Sequence, residues 1–125
     1  MPTTKPRILY IEDNAGNRTL VKRVLEHEGF IVFEAADGLT GLELATAERP
    51  DLILMDINLP GVDGYTMTRR IKATPGLEKI KIIALTANVM VGDREKTLEA
   101  GCEGYLQKPI DVDLLPEQIE RFLKS

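Results

Sequence analysis

The amino-acid sequence predicts an α/β protein with a doubly wound, five-stranded parallel sheet and five helices on its two faces. Short apolar runs alternate five times with amphipathic stretches, and three of the runs are apolar almost throughout. Strand–helix alternation is typical of parallel sheets, whose central strands are covered on both faces. Strands are predicted near residues 7–11, 30–34, 52–55, 82–85 and 104–107, and helices near 15–28, 38–47, 64–73, 91–100 and 113–124.

The second and fifth apolar runs, residues 30–34 and 104–107, are weaker than the others and are predicted to be edge strands. This favours the strand order 2-1-3-4-5, one of the common orders of doubly wound sheets. The order reverses between the first and third strands. Ligands of open α/β sheets bind at the carboxyl ends of the strands beside such a reversal.

The helices begin at residues that can cap them. Asp13 or Asn14 can cap the first helix, Asp37 the second and Asp63 the third. The first helix is predicted to bury Leu20, Val21, Val24 and Leu25, and the last to bury Leu115, Ile119, Phe122 and Leu123. The fourth helix has a thin apolar face, chiefly Leu98 with Val91 or Met90.

The length and composition are those of one globular domain, predicted to span residues 1–125. The 125 residues are 43% hydrophobic and 29% charged, with a net charge of −4, which argues against non-specific nucleic-acid binding. No apolar run approaches the ~20 residues of a membrane span, and the N-terminus lacks a signal-peptide pattern. The single cysteine, Cys102, excludes an internal disulfide and fits a reducing compartment, so a cytoplasmic location is expected.

Polar residues follow the predicted strands at the sheet edge where ligands are expected. The first strand runs into Glu12 and Asp13, the third into Asp56, the fourth into Thr86 and the fifth into Lys108. Three carboxylates, a hydroxyl and an ammonium should therefore converge. This combination suits a divalent cation together with a phosphoryl group.

The carboxylates predict a magnesium site. Asp13 and Asp56 are the expected direct ligands, the longer Glu12 can act through a water, and the main-chain carbonyl of Asn58 could complete the site. Without a cation the three carboxylates repel one another. Mg²⁺ is the expected ion, and Mn²⁺ can substitute for it.

Asp56 can also act as a nucleophile toward phosphorus and form an acyl phosphate. The metal would hold one phosphoryl oxygen, Lys108 a second and Thr86 a third, while the small Ala87 leaves room for the group. The bond between Lys108 and Pro109 is a candidate cis peptide, since cis bonds occur essentially before proline.

These residues resemble the receiver domain of two-component response regulators. The resemblance rests on Glu12-Asp13-Asn14, on Asp56 followed by Leu59-Pro-Gly-Val-Asp-Gly64, on Thr86-Ala87 and on Lys108-Pro109. The resemblance covers roughly residues 6 to 124. Within the family, the chain resembles the single-domain, chemotaxis-regulator-like members, which have a flavodoxin-like fold.

The resemblance implies Mg²⁺-dependent transfer of a phosphoryl group to Asp56 from a phosphohistidine of a histidine kinase or phosphotransfer protein. It further implies that Thr86 and Tyr105 form a switch that changes the surface of the fourth helix, fifth strand and fifth helix for a target protein or relay. Ala87 and Asn58 match positions beside the phosphoryl group. The chain would catalyse only its own phosphorylation and dephosphorylation. Neither direct nucleic-acid binding nor membrane insertion is implied, and a monomer is expected, with dimerisation on phosphorylation left open.

Other readings stay open beside this one. A constitutive docking domain that is not phosphorylated has the same fold. A phosphatase with an aspartyl-phosphate intermediate is disfavoured because such enzymes often have a second aspartate where this chain has Asn58. A flavodoxin-like cofactor carrier is also disfavoured, because the acidic loop after the first strand would repel a flavin phosphate instead of binding it. No output domain is expected, and both a complete single-domain regulator and a piece of a longer protein fit the sequence.

Overall fold

A computed structural model describes residues 5–87 and 91–124, with the backbone alone for residues 91–94. Five strands alternate with five helices. The strands are β1 (Arg7–Ile11), β2 (Ile31–Ala35), β3 (Leu52–Asp56), β4 (Lys81–Thr86) and β5 (Gly104–Gln107). The helices are α1 (Ala15–His27), α2 (Gly38–Glu48), α3 (Gly64–Lys72), α4 (Val91–Ala100) and α5 (Leu115–Lys124). Each predicted element is present within a few residues of its predicted bounds.

All five strands form one parallel sheet in the order β2-β1-β3-β4-β5, which confirms the predicted order and both edge strands. The register pairs Ile11 with Met55, and Asp56 with Leu85. The carboxyl ends of β1, β3 and β4 therefore lie level with one another, beside the reversal between β1 and β3.

Successive side chains of the central strands enter two separate hydrophobic clusters, because strand side chains alternate between the two faces. Leu9 and Ile53 pack on one face with residues of α2 and α3 such as Ala45, Met67 and Ile71. On the other face, strand residues that include Ile8, Tyr10, Leu52 and Leu54 pack with Val21 and Leu25 of α1 and with Leu115 and Ile119 of α5. Both faces are covered, which explains why these strands read as continuous apolar runs.

Side-chain caps fix where three helices begin after their strands. Asn14, rather than Asp13, caps α1 and accepts from the backbone N–H of Asn17 at 2.9 Å. Asp37 accepts from the N–H of Thr40 at 2.8 Å, and Asp63 accepts from that of Thr66 at 2.9 Å. The loops that follow β1, β2 and β3 are thus held at both ends.

Two expectations about buried leucines were wrong. Leu20 of α1 is 50% exposed, because Val21 and Leu25, four residues apart, face the sheet and Leu20 lies about 100° away around the helix. Leu98 of α4 is 59% exposed, while its neighbour Thr97 is buried. Leu98 therefore does not lie on the buried face of α4, contrary to the prediction. The other residues predicted for that face, Met90 and the side chain of Val91, lie outside the described residues.

The buried residues predicted for α5 were correct: Leu115 and Ile119 are fully buried, and Phe122 and Leu123 pack against the same cluster. Within the described part of the chain, no helix combines the length and apolar character that crossing a bilayer requires.

Candidate functional site

The predicted site residues lie at the carboxyl edge of the sheet, and backbone hydrogen bonds extend the strand ladder into their loops. The N–H of Glu12 donates to the carbonyl of Ala35 at 2.9 Å, just beyond β1 and β2. The N–H of Lys108 donates to the carbonyl of Thr86 at 2.8 Å, just beyond β4 and β5. Both site residues are therefore placed by the sheet itself.

Carboxylate oxygens of Glu12, Asp13 and Asp56 all lie within 4.8 Å of one another. Glu12 and Asp56 are each 1% exposed, whereas Asp13 is exposed to solvent. Three oxygen donors at this spacing, two buried and one open to water, match the preference of Mg²⁺ for carboxylate ligands with retained waters. The donor set fits such an ion.

Lys108 bridges the two buried carboxylates. Its Nζ lies 3.0 Å from Asp56 Oδ1 and 3.1 Å from Glu12 Oε1. Partial burial lowers the pKa of Lys108, but the hydrogen bonds and charges of Asp56 and Glu12 outweigh burial and raise this pKa above its ordinary value. Lys108 is accordingly a fixed cation at neutral pH, shared between two anions.

The Asp56 carboxylate is oriented by donors on one of its oxygens. The backbone N–H of Asn58 donates to Oδ1 at 3.0 Å, the same oxygen that Lys108 contacts. Among the described residues, no hydrogen-bond donor reaches Oδ2. Oδ2 is thus the oxygen available for bonding to an incoming group.

The Glu12 carboxylate is held by a residue that sequence reasoning missed. The hydroxyl of Tyr10 donates to Glu12 Oε1 at 3.2 Å. Burial raises the pKa of Tyr10, and the nearby charge of Glu12 raises it further, so the hydroxyl stays protonated. The available signal was a tyrosine two residues before an acidic residue in an otherwise apolar strand, which places both side chains on one face.

The remaining predicted residues surround this cluster. Thr86 is the buried last residue of β4, and Ala87 beside it is exposed. Asn58 is exposed and contributes its backbone N–H to the site. Tyr105 of β5 is half-buried against the hydrophobic cluster under α2 and α3, on the strand adjacent to Thr86. The Lys108–Pro109 peptide is cis, as predicted.

The doubly wound parallel sheet, with an acidic cluster and a lysine at its carboxyl edge, is the arrangement that the sequence analysis expected of a receiver domain. Comparison with known families identifies the same class of protein. Residues 8–120 match the sequence family described as the response regulator receiver domain. The chain belongs to this family, the receiver domains of two-component signalling. Among curated proteins it is similar to the polar-differentiation response regulator DivK of Brucella anthropi, with 41% identity over 93% of this chain and 94% of that protein. DivK of Brucella ovis is 40% identical over the same shares of each chain.

Solved structures show the same fold. The receiver domain of the sensor histidine kinase PA1611 from Pseudomonas aeruginosa is 41% identical, with a TM-score of 0.88 over 98% of this chain and 100% of that one. That structure has a magnesium ion coordinated in its active site cleft. The Vibrio cholerae chemotaxis protein CheY4 superposes with a TM-score of 0.91 at 25% identity, over 95% of this chain and 99% of that one.

Proposed function

We propose that this chain is a phosphorylation-controlled signalling module whose phosphoacceptor is Asp56. The observation that carries the proposal is the ammonium of Lys108 lying between two buried carboxylates, 3.0 Å from Asp56 Oδ1 and 3.1 Å from Glu12 Oε1. A shared cation beside an oriented carboxylate with one uncommitted oxygen suits transfer of an anionic group to that oxygen. The donor we propose is the phosphohistidine of a histidine kinase or of a histidine phosphotransfer protein.

The proposed transfer is an in-line displacement at phosphorus. Asp56 Oδ2 forms the new O–P bond, the P–N bond to the donor imidazole breaks, and its electron pair stays on the imidazole nitrogen, which takes up a proton. Positioning and electrostatics dominate such reactions. Lys108 moves toward one phosphoryl oxygen, the Thr86 hydroxyl donates to a second, and the backbone beside Ala87 and Asn58 lines the space for the group.

The acidic cluster would hold the divalent cation that this chemistry needs. We propose Glu12, Asp13 and Asp56 with the backbone carbonyl of Asn58 as the metal site, occupied by Mg²⁺, for which Mn²⁺ can substitute. When bound, the ion supplies positive charge against the phosphoryl oxygens and the carboxylates. The magnesium reported for the PA1611 receiver domain supports this assignment.

The output of the module is proposed to be a surface formed by α4, β5 and α5. Thr86 ends β4, and Tyr105 lies in the neighbouring strand β5, so a movement of Thr86 toward a phosphoryl group changes the packing available to Tyr105. Phosphorylation adds about −1.5 to −2 charge at the site, which biases a two-state equilibrium of this kind. A downstream target protein or a further phosphotransfer protein would read the surface. The lone, buried Cys102 thiol fits a cytoplasmic module.

The proposal is tested by incubating the protein with a small-molecule phosphodonor, with and without Mg²⁺, and recording intact masses of the wild type and of Asp56→Ala. One added phosphoryl group, dependent on Mg²⁺ and absent from the variant, is expected. A correctly folded wild type that gains no adduct from the small donor or from histidine kinases would overturn the proposal and favour the constitutive docking domain.

The phosphatase alternative has a distinct requirement. An acid–base group would have to stand near Asp56, but the residue two positions later is Asn58, whose backbone N–H rather than a carboxyl faces Asp56. We therefore propose that catalysis by this chain is confined to its own phosphorylation and dephosphorylation. Repeated turnover of phosphomonoesters in the same assay would overturn this.

A further inference from the structure

Tyr10 carries a polar atom in a place where packing does not require one. It lies in the middle of β1, fully buried, and its ring belongs to the cluster between the sheet and the helices α1 and α5. Its neighbours on this face, Ile8 and Leu54, are apolar, and a phenylalanine would fill the same space. The tyrosine hydroxyl is directed instead at the Glu12 carboxylate, 3.2 Å away.

The donors to Glu12 are distributed unequally over its two oxygens. Oε1 receives the Tyr10 hydroxyl at 3.2 Å and the Lys108 ammonium at 3.1 Å. The side-chain amide of Asn17 also donates to Oε1, at a long 3.5 Å. Among the described residues, Oε2 accepts from the backbone N–H of Asn14 alone, also at 3.5 Å. The two closer donors thus hold Oε1 toward the protein, and Oε2, with one long hydrogen bond, is the less constrained oxygen toward the acidic cluster.

Tyr10 and Lys108 do not hold Glu12 in the same way. Lys108 is shared with Asp56 at 3.0 Å, so any group bound to Asp56 competes for it. Tyr10 is part of a central strand, and the structure gives its hydroxyl one partner, Glu12, among the described residues. Glutamate also has one more rotatable bond than aspartate, so a carboxylate at this position needs a second point of attachment to keep one orientation.

We propose that Tyr10 is a positioning residue that orients Glu12 for divalent-cation binding and keeps it oriented when Lys108 turns to a phosphoryl group. The inference rests on the proposed function, because it presupposes that the acidic cluster binds Mg²⁺. Residues that hydrogen-bond to metal-binding side chains typically change metal affinity 10- to 100-fold when they are removed.

The test is the Mg²⁺ dissociation constant of the unphosphorylated protein, measured by titration calorimetry for the wild type, Tyr10→Phe and Tyr65→Phe. Tyr65 is the matched control, because its buried hydroxyl has no hydrogen-bond partner among the described residues. Tyr10→Phe should raise the dissociation constant about 10-fold. Tyr65→Phe should leave it unchanged, and both variants should match the wild-type circular dichroism spectrum.

Two further measurements distinguish orientation of Glu12 from a general effect on the fold. The chain has three tyrosines and no tryptophan, so its near-ultraviolet spectrum reports tyrosine environments directly. Mg²⁺ should produce a tyrosine difference spectrum in the wild type and in Tyr65→Phe that is lost in Tyr10→Phe. In a Glu12→Asp background, where the shorter carboxylate is withdrawn from the hydroxyl, Tyr10→Phe should no longer change the dissociation constant.

The possible failures are separable. A wild type that binds no Mg²⁺ at millimolar concentration overturns the metal site of the proposed function and this inference with it. A wild type that binds Mg²⁺ while Tyr10→Phe binds it equally well or more tightly overturns the inference alone. Equal effects of Tyr10→Phe in the wild-type and Glu12→Asp backgrounds also overturn it, because they would show that Tyr10 acts on metal binding without acting through Glu12.

Discussion

Asp56→Asn should stabilise the metal-free protein, although it removes a side chain with two good hydrogen bonds. Asp56 is 1% exposed and belongs to a cluster in which three carboxylates lie within 4.8 Å and one ammonium, that of Lys108, bridges two of them. Asparagine has nearly the same shape and keeps an oxygen that can accept from the N–H of Asn58. The substitution therefore removes mainly charge.

The size of the effect follows from the distances. With 4.8 Å taken as the upper limit of their separation and an effective dielectric constant of about 20, the Glu12 and Asp56 charges repel by roughly 3 kcal/mol. The solvent-exposed Asp13 adds a smaller, screened amount. Attraction to Lys108 at 3.0 Å is roughly 5 kcal/mol on the same scale, so the two contributions nearly cancel. The cost of burying the charge, several kcal/mol per ion, is left over. After allowance for the lost charge-assisted hydrogen bonds, we expect a gain of about 1 to 3 kcal/mol.

The assay is urea unfolding in EDTA at low ionic strength, compared with unfolding at saturating Mg²⁺. The unfolding midpoint of Asp56→Asn should rise in EDTA without a change in slope, and the advantage should shrink when Mg²⁺ neutralises the wild-type cluster. Asp63→Asn is the control, since it makes the same chemical change at an exposed helix cap where asparagine serves equally well. A lower midpoint for Asp56→Asn in EDTA would refute the reasoning, because it would mean that Lys108 more than compensates for the repulsion and burial.

Three further results are expected. Gly64→Ala would place a Cβ 2.5 Å from the backbone oxygen of Asp56, the last residue of β3, and should cost about 1 to 3 kcal/mol. Gly61→Ala has open space and should cost only about 1 kcal/mol through its φ of 79°; equal shifts in urea midpoint would contradict this. Burial raises the pKa of Cys102 to about 11 from 9.0. Its contribution to the free energy of unfolding is therefore constant below pH 9 and declines by about 1 kcal/mol per pH unit between 9 and 11. Subtracting the pH profile of unfolding free energy of Cys102→Ala from that of the wild type should reveal this decline. Leu98→Ala should change the free energy of unfolding by less than about 0.5 kcal/mol and Leu115→Ala by about 2 to 5 kcal/mol, because their exposed fractions are 59% and 0%.

The strands and their order could be predicted because their signal is repeated and redundant. A central strand such as β3 is buried along its whole length, so each of its four apolar residues, 52–55, carries the same information. Helix starts were equally clear where one short polar side chain, such as that of Asp37 or Asp63, accepts a hydrogen bond from the backbone N–H three residues later. The helix α4 was predicted with its observed bounds, but the expected burial of Leu98 was wrong. Its apolar residues are few, so tertiary packing rather than helical periodicity determines that Thr97 is buried instead of Leu98.

The position of the site could also be predicted, because parallel strands deliver their last residues to one edge regardless of how far apart they lie in sequence. The orientation of individual carboxylates could not. Whether Lys108 contacts one carboxylate or two depends on distances of a few tenths of an ångström between residues 96 positions apart in sequence. The Tyr10 hydroxyl was missed for a related reason: within an apolar run a tyrosine is interpreted as packing, and only the structure shows its acceptor.

The net negative charge of the acidic cluster links the predicted stabilisation by Asp56→Asn with the proposed transfer of a phosphoryl group. Three carboxylates face one bridging ammonium in the described part of the chain, so the cluster carries about two uncompensated negative charges until a divalent cation is bound. In the proposed function a phosphoryl group on Asp56 would then add negative charge again, and Lys108, already 3.0 Å from that carboxylate, would be the cation that follows it. Its departure would remove one of the two close donors to Glu12 Oε1 and leave the Tyr10 hydroxyl, at 3.2 Å, closer to that oxygen than the Asn17 amide at 3.5 Å. A ligand can shift an equilibrium only by the difference in its interactions with the two states, and the proposed transfer of Lys108 from Glu12 to the phosphoryl group would be such a difference.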